Sequence, residues 1–393
     1  MKIGYFSHTN LTVSETFIYD LVKDLNVDKD IELIYYSGRS SGRVNVDFDL
    51  KSVQTGFSED GEKRAFLVYK LGRFMGAVKA AELRMATHKK RALHSLIKTV
   101  REPIDVAFIE YANSAILLRE FMNLKKIPFI VHVHGYDITS SLNIPGYIEE
   151  LKKVIEEASY FVTASEYMKR LLILQGANAN KIKVIRIGID VESIQPLSWE
   201  ERLKRKPSVI FLGRLTEKKH PIALLHAFQL VLLKMPEAKL TIIGDGPLKA
   251  EVEDRIKRLN IVGSVELKGS LSRGESFPIL NSQWVYAQHS VTSGSGDQEG
   301  YALSPAEAAA HGLPVVSTIH NGIPEHVIDG VTGYLVPEFN FEAMADKIIF
   351  LLQNPLLAEQ MGGKGRMNIR QLNSQAKRVE SIKSLFHLLA GRE

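Results

Sequence analysis

The 393-residue chain contains no cysteine. That absence removes disulfides, thiolate metal sites, iron–sulfur clusters and cysteine nucleophiles together, and suits a reducing compartment. Nothing in it approaches the ~20 unbroken apolar residues that span a bilayer. Its amino terminus, Met1-Lys2-Ile3-Gly4-Tyr5-Phe6, enters directly into a strand-like run without the marks of a secretory signal. A cytoplasmic location is therefore expected. Charge of one sign is also scarce: 50 Lys and Arg face 45 Asp and Glu, and the net +5 is too small to point to nucleic acid. With 14 Pro and 28 Gly in a chain that is 45% hydrophobic and 24% charged, collagen-like, low-complexity and disordered classes are excluded. What remains is material for full cores, and roughly 150 residues per domain makes two domains the expectation.

One segment is charged unevenly. Residues 63–101 hold eleven Lys and Arg against the single acid Glu82, interleaved with apolar residues at spacings that predict amphipathic helices. Two readings stand. The helices either complete a core with their apolar stripes, or present a basic face to an anionic membrane, where each Lys or Arg gains roughly 1 kcal/mol.

Along the first half, apolar runs at 2–6, 33–36, 104–109, 128–133, 160–164 and 182–187 alternate with amphipathic stretches at 14–25, 148–157 and 166–175. Strands apolar throughout are those of a parallel sheet covered on both faces. The polar stretch 196–207 reads as a linker. Strand patterns then restart at 208–212, 238–243, 265–267, 284–288 and 314–317. Two successive βαβ-rich halves predict two doubly wound α/β domains, 1–195 and 208–373, with a cleft between them. A last helical pattern runs from 374 to 389 within the tail 374–393.

In such folds ligands sit beyond the carboxyl ends of strands, so the motifs there matter most. After the first strand of the second half comes Gly213-Arg214-Leu215-Thr216-Glu217-Lys218-Lys219-His220-Pro221, cations beside a helix start, which suits phosphate. A solvated basic loop would read the same. The next strand ends in Gly244-Asp245-Gly246-Pro247, but Lys249 stands where a dinucleotide fingerprint wants its third glycine, which demotes an NAD-type reading. A tight turn without ligand contact accounts equally for these two glycines. The fullest constellation is Glu299-Gly300-Tyr301-Ala302-Leu303-Ser304-Pro305-Ala306-Glu307, two acids eight residues apart around a helix start. Glu307 lies among small residues on a closely packed helix, where a carboxylate needs a partner. Sugar or ribose hydroxyls fit both acids.

From Gly213-Arg214 and Lys219, through Gly244-Asp245-Gly246-Pro247 and the paired glutamates, to Gly322-Ile323-Pro324-Glu325 and Gly333-Tyr334-Leu335-Val336-Pro337, residues 208–350 resemble the family 4 retaining glycosyltransferases of GT-B fold. In the first half, His132-Val133-His134-Gly135-Tyr136-Asp137, Thr163-Ala164-Ser165-Glu166 and Ile187-Gly188-Ile189-Asp190 extend the likeness. Ser14-Glu15-Thr16-Phe17-Ile18 resembles the subgroup that builds exopolysaccharide or lipopolysaccharide, such as colanic-acid and amylovoran transferases. Two departures touch loop geometry: His220 takes a usual glycine position, and Ser304-Pro305 replaces a more apolar stretch.

The resemblance implies a nucleotide-diphosphate sugar as donor, with UDP-hexose favoured and GDP-mannose second, and a glycan or lipid-linked acceptor. Arg214 and Lys219 would neutralise the departing diphosphate. Gly213, Gly244, Gly246, Leu303, Ser304 and Glu307 would complete the nucleotide site. His134, Glu299, Gly300, Tyr301 and Ala302 would face the donor sugar, and Ser14, Glu15, Thr16 and Asp137 the acceptor. His134, Glu299, Arg214 and Lys219 are the implied catalytic set. By the same resemblance the tail returns to the first domain. Neither Asp28-Lys29-Asp30 nor Asp47-Phe48-Asp49 lies in phosphate-binding surroundings, so no metal and no cofactor are expected. Competing classes are a non-catalytic nucleotide-sugar binder, a nicotinamide-dependent oxidoreductase and a phosphorylase.

Overall fold

The computed structural model describes residues 1–11, 15–39, 46–59 and 76–391. They form two units, 1–186 together with 376–393, and 187–375.

In the first unit, β1 (Lys2–Ser7), β2 (Glu32–Ser37), β3 (Ser52–Gln54), β4 (Val106–Glu110), β5 (Phe129–Val133), β6 (Tyr160–Thr163) and β7 (Ile182–Val184) form one sheet in the order β3-β2-β1-β4-β5-β6-β7. Every pairing is parallel. All residues of β4 and β5 are buried, as both faces of a helix-covered parallel sheet require. The edge strand β3 is three residues long and mostly exposed, which is why its sequence carries no apolar signal. The helix Gln375–Leu389 supplies Ile382, Leu385 and Phe386 to this unit's core, beside Tyr5, Leu21 and Phe108.

In the second unit, β8 (Ser208–Leu212), β9 (Lys239–Ile243), β10 (Val265–Gly269), β11 (Val285–Ala287), β12 (Val315–Thr318) and β13 (Gly333–Val336) form a parallel sheet in the order β10-β9-β8-β11-β12-β13. Both units are thus Rossmann-like α/β sheets whose order reverses beside the first strand. Each reversal opens a crevice at the strand ends.

The stretch 196–207 differs from the linker expected of it. Trp199–Leu203 is a short helix; Trp199 joins the second unit's core, and buried Arg202 donates to the carbonyls of His311 and Gly312 at 2.6 and 3.1 Å. Charged residues on its exposed side hide this packing in the sequence. Of the basic stretch, residues 76–101 are described, with one helix over Ala77–Thr99, and the part from 63 to 75 lies outside the described residues.

Candidate functional site

The second unit's site begins with two loops locked backbone to backbone. Leu215 N–H donates to Asp245 O at 2.9 Å, and Leu248 N–H to Leu215 O at 3.0 Å. A methyl on Gly244 would sit 1.9 Å from Gly213 O, and one on Gly246 would sit 2.5 Å from Leu215 O. These glycines are required by the close approach of the β8 and β9 loops. Gly213 has a related duty, since a methyl there would lie 3.1 Å from the Lys219 side chain.

The loops present cations. Arg214 is exposed, and among the described residues its guanidinium has no carboxylate partner. Lys219 ends the turn Glu217–Lys219, and its Nζ lies 3.1 Å from Glu299 Oε1 and 3.5 Å from Gln288 Oε1. Glu299 is buried; burial pushes its carboxyl up, but Lys219 and Lys218 outweigh this and pull it down to about 2. Lys218 also pairs with Asp297 at 3.2 Å, while Glu217 accepts from Gly294 N–H at 2.8 Å. The turn and the 291–299 loop are therefore stitched together. Beneath them Gln288 accepts from Tyr286 Oη at 2.8 Å and donates to Ser290 at 2.7 Å. His320 accepts from Glu299 N–H at 3.2 Å and meets Glu338 at 2.6 Å through Nδ1.

From Glu299 the chain passes through Gly300 and Tyr301 to Ala302, whose left-handed φ of 60° turns it into the helix Leu303–Ala310. No side chain caps that start, so the amides of Leu303 and Ser304 keep the donor capacity of a helix N-terminus. Pro305 falls in the first turn, where it costs no intrahelical bond, so the Ser304-Pro305 departure leaves the helix intact. His220, at φ 40°, likewise holds a left-handed conformation that glycine adopts more cheaply. Tyr301 is buried and donates to Asn373 at 2.7 Å, so its ring is structural. Glu307 is buried and receives Arg273 Nη2 at 3.1 Å. Arg273 opens the helix Arg273–Asn281 behind a Ser272–Glu275 capping box; only that box could have marked it in the sequence.

The first unit holds a separate cluster. Glu110 ends β4, opposite His132 in β5, and both are buried. Glu110 Oε2 lies 2.5 Å from His134 Nε2 and 3.0 Å from His132 Nδ1, and Oε1 accepts from Tyr5 Oη. Burial would push the Glu110 carboxyl up, but the two histidines hold it well below the usual carboxylate range. Burial also pushes His132 down to about 4, against the pull of Glu110. These three residues place their ligand atoms within 4.8 Å of one another, close enough for a metal ion. The contact of Glu110 Oε2 with His134 Nε2 is a hydrogen bond, whereas His132 Nδ1 approaches the same oxygen at 3.0 Å without hydrogen-bond geometry.

Asp137 is fully buried, and its carboxylate accepts from the amides of His134, Gly135 and Ala112 at 2.9, 3.1 and 2.8 Å. It shapes the His134 loop. Glu15 is buried, accepting from Thr9 and Tyr111 at 2.7 and 2.8 Å. Thr16 opens the helix Thr16–Asn26, and Ser14 lies outside the described residues. A cavity of about 360 Å³ lies instead among His8, Arg39, Asn113, Ser114, Tyr136 and Tyr147. None of these was singled out in the sequence as an acceptor residue, because they converge from five separate loops and helices.

Two Rossmann-like sheets, the second with a cation-lined crevice and an uncapped helix start, define the GT-B class of glycosyltransferases. Residues 194–367 match the family described as Glycosyl transferases group 1, and residues 54–193 match Glycosyltransferase Family 4. The chain belongs to these glycosyltransferases. It is 26% identical over 372 residues to the amylovoran biosynthesis glycosyltransferase AmsK of Erwinia amylovora, covering 90% of this chain and 91% of that protein. It is also 26% identical over 290 residues to a GDP-mannose-dependent monoacylated alpha-(1-6)-phosphatidylinositol monomannoside mannosyltransferase of Corynebacterium glutamicum, covering 70% and 74%. The crystal structure of HepE from Anabaena in complex with UDP and glucose shares the fold, with a TM-score of 0.74 at 17% identity over 98% of this chain and 99% of that one.

Proposed function

We propose that the protein transfers a hexose, with retention at the anomeric carbon, from a nucleotide-diphosphate sugar to a glycan or lipid-linked acceptor in polysaccharide or glycolipid biosynthesis. The observation that carries this reading is the Lys219–Glu299 pair at 3.1 Å, in the same unit as Arg214, which has no carboxylate partner among the described residues, and the uncapped start of the Leu303–Ala310 helix. Negative charge grows on the departing diphosphate as the glycosidic bond breaks. Arg214, Lys219 and the helix amides would stabilise that charge without a metal. Glu307, oriented by Arg273, would take the ribose, and Glu299 the hydroxyls of the sugar. UDP is the favoured base, in keeping with the UDP-bound fold relative, and GDP-mannose is second, in keeping with the mannosyltransferase.

In the first unit, His134 would contact a substrate sugar, and the cavity of about 360 Å³ suits one end of an acceptor. The acceptor proton would leave with the departing phosphate, a front-face displacement with no nucleophilic carboxylate. A membrane-bound acceptor suits the helix Ala77–Thr99, where Leu83 and Ile97 are exposed among basic residues. Lys89 is not available for lipid, since it pairs with Glu120 and Glu150 at 3.2 and 2.9 Å. Unchanged binding to anionic liposomes after replacing Lys90, Arg91 and Lys98 by Glu would end that part of the proposal.

Incubation with UDP-hexoses or GDP-mannose and a bacterial glycolipid fraction, in EDTA, should release nucleoside diphosphate and give a product of the donor's anomeric configuration by NMR. An inverted product, or turnover only after metal is added back, would refute the mechanism.

A further inference from the structure

His134 has one nitrogen in use. Its Nε2 lies 2.5 Å from Glu110 Oε2, while Nδ1 makes no hydrogen bond among the described residues. The ring is packed against Phe17 at 4.8 Å, Tyr111 at 4.4 Å and His132 at 4.1 Å between centroids. Its backbone amide is fixed by Asp137 at 2.9 Å. An imidazole so confined has one internal freedom left, the choice of nitrogen that carries its proton, and the hydrogen bond at one nitrogen sets the state of the other.

We propose that Glu110 is the positioning residue for His134: its carboxylate keeps the proton on Nε2 and so presents Nδ1 as an acceptor for a substrate sugar hydroxyl. Glu110 is built for this task. Its Oε1 accepts from Tyr5, and its Oε2 faces both histidine rings, so each oxygen is an acceptor only. A carboxylate has no proton to give back, and His134 Nε2 must therefore be the donor. The buried guanidinium of Arg378, which donates to Phe17 O at 2.9 Å, stands among the groups charged toward Glu110 and favours its ionised form. The cost of burying Glu110 is offset by a defined acceptor at His134 Nδ1, where a histidine without it would present donor and acceptor tautomers in turn. This inference rests on the sugar-facing role proposed for His134.

The first test needs no variant. Nitrogen-15 NMR of the intact protein at mildly alkaline pH should show His134 protonated on Nε2 alone. A proton on Nδ1, or on both nitrogens, would overturn the assignment. Glu110→Gln should then give a mixed tautomer and lower kcat roughly tenfold or more, the scale on which an imidazole's orienting partner acts. Stabilisation by UDP, or by GDP if that is the nucleotide bound, should stay unchanged. Because both residues act through one ring, Glu110→Gln with His134→Ala should be no slower than His134→Ala alone. Additive losses, or a kcat and tautomer unmoved by Glu110→Gln, would contradict the proposal. One transition-metal ion per purified chain would do so too, since the three ligand atoms would then face an ion. Full turnover in His134→Ala would instead refute the sugar-facing role given to His134, while the NMR result would still decide what Glu110 does to its ring.

Discussion

At the scale of residues, the site is held by ion pairs whose members are individually costly to bury. Glu299 is held ionised by Lys219 and Lys218 against its own burial. Lys219→Met should therefore lower unfolding stability by up to about 3–5 kcal/mol, the range for stranding a buried charge, less whatever Lys218 recovers. Denaturant titration across pH tests this with a definite sign. With its folded value near 2, Glu299 adds stability that is complete above about 4.5 and is lost as pH falls toward 2. The variant should lose most of that dependence. Three histidines act in the same direction at milder acidity. Burial pushes His132, His289 and His311 to about 4, so the unfolded chain binds their protons first as pH falls below 6.5. Stability should drop between 6.5 and 4, by up to about 1.4 kcal/mol per pH unit for each proton. Replacing buried His289 by Asn should flatten this slope by about one proton. A slope unchanged in that variant would show that His289 titrates normally.

At the scale of elements, glycines and strand ends decide what the loops can present. Gly244→Ala places a methyl 1.9 Å from a backbone oxygen, a clash that no rotamer change relieves, and it should cost at least about 2–3 kcal/mol. Gly263→Ala, with nothing within 4 Å, should leave the melting temperature nearly unchanged. Equal effects would mean that the two loops do not pack as described. This packing also marks the limit of what the sequence could say. Gly244 and Gly246 were visible as a motif, but whether they served a ligand or a neighbouring loop depended on the approach of the β8 loop, 30 residues away in the chain. Buried strands such as β4 and β5 were plain because every residue in them is apolar or covered. Strand β3 was not, since three edge residues bury too little. Arg273, Gln288 and His320 were illegible for a similar reason: each reaches the site from an element whose pattern serves its own packing. Glu110 falls just past the apolar run 104–109 and carried no signal of its own in the sequence. Its meaning came only from the parallel register that sets it opposite His132.

At the scale of the whole molecule, the two units carry different groups. The second carries cations, an uncapped helix start and two partnered glutamates. The first carries a histidine beside two aromatic rings and a cavity of about 360 Å³. The central proposal is that protein cations, with no metal, hold the donor's diphosphate. Calorimetric titration of UDP and GDP in EDTA, into wild type and Arg214→Ala, tests it most directly. Because Arg214 is exposed and has no carboxylate partner among the described residues, its removal should leave the melting temperature of the free protein unchanged. One nucleotide should bind the wild type in EDTA and lose roughly tenfold or more in affinity in the variant, as expected for a charge-assisted contact. Binding that requires a divalent ion, or that is as tight without Arg214, would contradict it.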